Sequence, residues 1–213
     1  MQYENQPYGR EYDIITQSTF PKGHPYSWTV IGSMEDLTAA SLDDVKEWFR
    51  TYYGPSNAVL SIAGDIKPEE ILEKVKKYFG DIPPGPSLGK PEINVSKRLE
   101  DTRGYYEDRV PQPKISMVWN IPPWGTKEMA LFDLATDVLS SGKTSRLYKK
   151  LVYEDQTASN VFAYVDPMEI AGTLHIEAMV KPGESAEKVE ETINAIMKEF
   201  LEKGPAQDEL DRV

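Results

Sequence analysis

Apolar positions alternate at Leu60 and Ile62 and again at Leu174 and Ile176, the period of a strand with one buried face. After each pair comes a Lys-Pro turn and an acidic helix start. Lys67, Pro68, Glu70, Glu73, Lys74 and Val75 return as Lys181, Pro182, Glu184, Glu187, Lys188 and Val189, all at one constant spacing. The pattern predicts that each copy is one strand running into one helix. The spacing is far too long for a solenoid, so it points to two related α+β units.

The rest of the pattern extends this picture. Ser41 with Asp44 forms a capping pair ahead of a helix carrying Leu42, Val45, Trp48, Phe49 and Tyr52 on one side, ended by Gly54-Pro55. Residues 81–91, with four prolines, read as an extended connector. Ile115, Met117 and Trp119 alternate as a strand, and Met129, Phe132, Ala135, Val138 and Leu139 recur at helical spacing. A small polar loop, Ser140 to Thr144, leads to a second helix through Leu147 and Leu151. Strands follow near residues 159–165 and 172–180, joined by a short turn at Asp166-Pro167. A long helix then carries Val189, Ile193, Ile196, Met197 and Phe200, and Asp208 to Val213 reads as the start of another. Such short joins favour an α+β fold, an antiparallel-rich mixed sheet covered by helices, over a doubly wound parallel one.

Composition mainly excludes. A net charge of −11 over 213 residues repels phosphate backbones and anionic lipid. With no cysteine there is no disulfide, thiolate metal site or cysteine nucleophile. Gly142-Lys143-Thr144 is not a phosphate loop, because the glycine required five residues earlier is Asp137. The loop reads instead as a polar turn in which Thr144 or Ser145 caps the next helix, and loops of this kind can bind peptide backbone. His24 sits in the turn Gly23-His24-Pro25-Tyr26, and His175 points to the strand face opposite Leu174 and Ile176. Neither has a partner at metal-ligand spacing. No Gly-x-Ser-x-Gly elbow occurs, and Glu69, Glu70, Glu73, Glu187, Glu190 and Glu191 lie on helix starts and solvated faces. The residues alone select no catalytic group.

Several runs, in order, resemble the pitrilysin and insulinase class of zinc peptidases. They are Glu4-Asn5-Gln6-Pro7-Tyr8-Gly9, Gly23-His24-Pro25-Tyr26 with Ile31-Gly32, Tyr52-Tyr53-Gly54-Pro55-Ser56-Asn57-Ala58-Val59 and Ala63-Gly64-Asp65. Beyond the connector come Val110-Pro111-Gln112-Pro113, the loop from Ser140 to Tyr148, and Leu151 through Glu154. The resemblance implies the duplicated α+β fold of the mitochondrial-processing-peptidase type. It divides the chain into the rear of a catalytic-type subdomain (residues 1–80), a linker (81–99) and most of a second, metal-free subdomain (100–213), the family's inactive domain. The inverted zinc motif H-x-x-E-H is absent from the sequence. In relatives that motif and the third ligand, a glutamate, precede the segment matching Asn5 to Gly9, so the chain is expected to be a piece that begins just after the metal site. Zinc is then expected in the parent protein and not in this segment. An Arg and Tyr pair carried by the other half of relatives aligns with Val152 and Ser159, which favours the first half of a long peptidase or one subunit of a two-subunit enzyme.

The expectation is therefore a noncatalytic portion of a zinc metalloendopeptidase that completes the wall of a peptide-degrading or peptide-processing chamber. Ser140, Ser141, Gly142, Lys143 and Thr144, with Arg146 and Tyr148, are the candidate substrate contacts. The implied partners are the upstream zinc subdomain, a second half or partner subunit, and a peptide, with no nucleic acid and no membrane insertion. The resemblance suggests export in bacteria. The alternative is a catalytically dead subunit or assembly protein that pairs with an active peptidase.

Overall fold

Residues 5–213 are described here in a computed structural model, so Glu4, which opens the first family-like run, lies outside the described residues. In chain order the elements are α1 (Glu11–Thr19), α2 (Met34–Ala39), α3 (Leu42–Tyr52), α4 (Pro68–Phe79), β1 (Lys114–Ile121), α5 (Lys127–Ser140), a π-helix (Tyr148–Glu154), β2 (Ala158–Pro167), β3 (Gly172–Val180), α6 (Ala186–Lys203) and α7 (Gln207–Arg212). They fall into two compact units, one of Val30–Lys90 and one of the residues up to Thr29 with Pro91–Val213.

The larger unit is an antiparallel sheet in the order β1-β3-β2. β3 is central because its inward positions Leu174, Ile176, Ala178 and Val180 are all buried, and a doubly flanked strand can be covered along its length. Helices α5 and α6 and the π-helix cover that face. Leu139, Leu147, Leu151, Val161, Val189 and Ile193 pack there with the β3 residues into one core, and Ile115 and Met117 lie partly buried at its β1 side. Thr126 accepts from the Met129 N–H and Ser185 from the Lys188 N–H, so both long helices begin at side-chain caps.

Two expected features shift. β2 continues through Asp166-Pro167, and the turn falls at Met168, whose N–H bonds the Ala171 carbonyl at 3.0 Å. The helix through Leu147 and Leu151 is wound as a π-helix, with the Asp155 N–H reaching the Lys150 carbonyl at 2.9 Å.

In the smaller unit α3 opens on the expected capping box, Ser41 and Asp44 exchanging bonds with each other's backbone. The strand expected at Leu60 and Ile62 does not form. Its copy at 174–176 is flanked by β1 and β2, whereas no described residue pairs with 58–63, and an extended segment without a neighbour has no ladder to join. The repeat therefore holds for helices α4 and α6 and for only one of the two strands. No residue from Val30 to Lys90 is buried, and Trp48 and Phe49 on the apolar stripe of α3 stay more than half exposed. Gly54 is required by contact, since a Cβ there would lie 2.5 Å from the Pro84 carbonyl oxygen.

Candidate functional site

The loop after α5 is a tight reversal. The Ser141 N–H bonds the Asp137 carbonyl at 2.8 Å, and Gly142 takes a left-handed φ of 82° that an L side chain rarely adopts. The hydroxyl of buried Ser145 turns back to the Gly142 carbonyl at 2.7 Å, so it closes the loop and does not cap the following helix as expected. Ser141, Gly142, Lys143 and Thr144 are exposed, and Ser140, Arg146 and Tyr148 are half-buried.

Three of the candidate residues have their polar or apolar surface engaged. The Ser140 hydroxyl accepts from the Ala163 N–H at 2.8 Å and donates to the Ala163 carbonyl at 3.0 Å, which closes the outer edge of β2 at that residue. Arg146 makes a forked ion pair with Glu209 at 2.6 and 2.5 Å, donates to the Gly204 carbonyl at 2.9 Å and lies 5.1 Å above the Phe200 ring. That fork pulls the Glu209 carboxyl down to about 2 against the desolvation that opposes it. Tyr148 packs on the core. From α7, Arg212 donates to the carbonyls of Val138 and Ser141, covering the end of α5.

Ser140→Ala should leave both Ala163 backbone groups without their side-chain partner and cost roughly 1–2 kcal/mol. Urea denaturation of the two proteins is the check; an unchanged midpoint would show that water replaces the hydroxyl freely.

The sheet face away from α5 and α6 carries a polar network with no signal in the sequence. Lys114 bridges Glu11 at 2.7 Å and Glu177 at 2.5 Å, and the Tyr164 hydroxyl donates to Glu177 at 2.6 Å. Tyr164 stacks on His175 with ring centroids 4.7 Å apart. Burial opposes the charge on both partners, yet the bonds from Lys114 and Tyr164 hold the Glu177 carboxyl below its ordinary value, and the two carboxylates hold the Lys114 ammonium above its own. Burial pushes His175 down toward its neutral form. Sequence reasoning missed this network because Glu11 and Lys114 come from distant parts of the chain, and only the strand pairing brings Tyr164 and His175 opposite each other.

Zinc does not fit the side chains described. His24 uses both ring nitrogens, Nδ1 accepting from the Tyr26 N–H at 3.0 Å and Nε2 donating to the Asn94 carbonyl at 2.8 Å. His175 Nε2 lies 2.8 Å from the Thr173 hydroxyl. Among the described residues no three His, Asp or Glu side chains come together where they could hold a metal ion.

Known proteins are similar to this chain in fold and in sequence. The zinc protease PqqE of Helicobacter pylori is 28% identical over 99% of the chain, which matches 48% of that protein. The crystal structure of a protease from Helicobacter pylori superposes with a TM-score of 0.81 at 26% identity, covering 99% of this chain and 51% of that one. A peptidase M16 inactive domain from Pseudomonas fluorescens gives a TM-score of 0.83 at 20% identity over 99% of this chain and 50% of its own, a likeness of fold. The chain thus spans about half the length of these relatives. Residues 39–213 match the family described as the Peptidase M16 inactive domain, and the chain belongs to that family.

Proposed function

We propose that this chain is the noncatalytic part of a zinc metalloendopeptidase, forming a section of the wall of an enclosed chamber in which peptides are degraded or processed. The observation that carries this reading is the match to an M16 inactive domain over residues 39–213 in a chain whose own histidines and carboxylates assemble no metal site among the described residues. Zinc and its ligands would come from the remainder of the peptidase, either upstream in the same polypeptide or on a partner subunit. The proposed division is residues 1–80 as the rear of the catalytic-type subdomain, 81–99 as linker and 100–213 as the metal-free subdomain.

Within that wall the loop Ser140–Thr144 is the proposed peptide contact. Ser141, Gly142, Lys143 and Thr144 face solvent and can meet a peptide, whereas Ser140, Arg146 and Tyr148 hold the loop through Ala163, Glu209 and the core. A loop on a rigid sheet-and-helix scaffold supports such a role.

The test is cleavage of a quenched fluorescent peptide by the longer protein and by this chain alone. Chelator-sensitive turnover by the longer protein and none by the chain is expected, with Lys143→Ala and Thr144→Ala raising KM severalfold at unchanged kcat. Turnover by this chain alone, insensitive to chelator, would overturn the assignment.

A further inference from the structure

The two edges of the sheet differ in what they offer to another strand. In an antiparallel ladder each residue points its N–H and C=O to one side, alternately inward and outward. The Val180 N–H bonds the Pro113 carbonyl on the β1 side and the Lys181 N–H bonds the Thr157 carbonyl on the β2 side, which fixes the alternation. On β2 the outward residues are then Val161, Ala163, Val165 and Pro167. The Val161 N–H is taken by Asn160 Oδ1 at 2.9 Å, both groups of Ala163 are taken by Ser140, and Pro167 has no N–H. That edge is blunted at every outward residue but Val165, in the ways proteins use against further pairing.

On β1 the outward residues are Lys114, Ser116, Val118 and Asn120. Their backbone N–H and C=O groups have no partner among the described residues, and no proline interrupts the strand. On the core face Ile115 and Met117 are only partly buried, and Trp119 is 41% exposed. An unpaired edge with unspent backbone groups beside an apolar row that is only partly covered is what a missing neighbouring strand would leave.

We infer that the outer edge of β1 receives one more strand, supplied by the part of the protein outside these 213 residues. The strand would place apolar side chains beside Ile115, Met117 and Trp119. Length supplies the source, since the chain covers 48% of its relative PqqE, and the inference rests on the reading that this chain is part of a larger peptidase.

Amide hydrogen exchange tests it, read at Ser116, Val118 and Asn120 in this chain and in the longer polypeptide. In the short chain these amides should exchange far faster than those of Ile115, Met117 and Trp119, and in the longer one they should slow on the order of 100-fold. Val118→Pro removes an outward donor that β3 does not use, so it should abolish protection at Ser116 and Asn120 in the longer protein while Met117 stays protected. Unprotected outward amides in the longer protein would overturn the inference, as would protection in the short chain that rises with concentration, which would make a second copy the occupant. Zinc-dependent cleavage by a longer protein whose β1 amides stay unprotected would refute this inference alone. Protected amides in a longer protein without such cleavage would refute the peptidase reading alone.

Discussion

Lys114→Met is expected to cost the larger unit about 3 kcal/mol at neutral pH, since removing one partner from a buried ion cluster strands the others. Lys114 is 16% exposed and lies between Glu177 and Glu11, whose side chains are 15% and 24% exposed. Methionine keeps the apolar stem, so the loss reports charge and hydrogen bonding and not volume. For a chain of this size the melting temperature should fall by roughly 6–12 °C. The pH dependence separates this explanation from simple packing loss. In the parent chain Glu177 has a folded pKa below its unfolded value, so it stabilises above the unfolded value and that contribution fades as pH falls. Without Lys114 burial dominates, the folded pKa rises above the unfolded one, and protonation then relieves the fold. The destabilisation should therefore shrink between pH 7 and pH 5 in urea titrations. Adding Glu177→Gln should recover much of it at pH 7, because the amide oxygen still accepts from Tyr164. A loss equal at both pH values, with no rescue, would sink this account.

The sheet and its covering helices were legible because their signals are local. Strands β1, β2 and β3 and helices α5 and α6 follow from alternation or helical spacing within a dozen residues, and the Ser41–Asp44 box sits within one turn. The segment at Leu60 and Ile62 has the same local alternation and forms no strand, because a strand exists only where a neighbour supplies its hydrogen bonds. The fate of Ser140 was hidden for a related reason. Its place at the end of a helix could be read, but its bonds to Ala163 arise from packing α5 against β2. The charges of the candidate loop showed the same limit, since Arg146 and Lys143 look equivalent in sequence and only Arg146 meets a carboxylate across the fold. Chain-distant pairing thus decided which candidate residues face solvent.

That last pairing carries the second large effect. Arg146→Ala is expected to destabilise the larger unit by about 2 kcal/mol and to flatten its response to acid. Both side chains are about one-fifth exposed, the fork is bidentate, and the same guanidinium holds the Gly204 carbonyl where α6 gives way to α7. The folded Glu209 carboxyl sits at about 2 against 4.5 for the free group. Its contribution is complete above about pH 4.5 and is lost as pH falls toward 2, which amounts to about 1–2 kcal/mol after allowing for solvent screening. Glu177 titrates in both proteins and cancels in the comparison, whereas Glu199, held down chiefly by Lys203 and in part by Arg146, moves the gap in the same direction as Glu209. The stability gap between parent and variant should therefore narrow below pH 4.5, and equal slopes in acid would show that the fork does not set the Glu209 titration. Arg146→Lys, which keeps the charge but loses the planar fork, should fall between the two. The consequence reaches the candidate loop, because α7 also carries Arg212 onto the carbonyls of Val138 and Ser141. Releasing Glu209 loosens that second hold, so limited proteolysis of the variant should cut between Ser140 and Ser145 sooner than in the parent, while cleavage in the connector at 81–91 proceeds at the same rate.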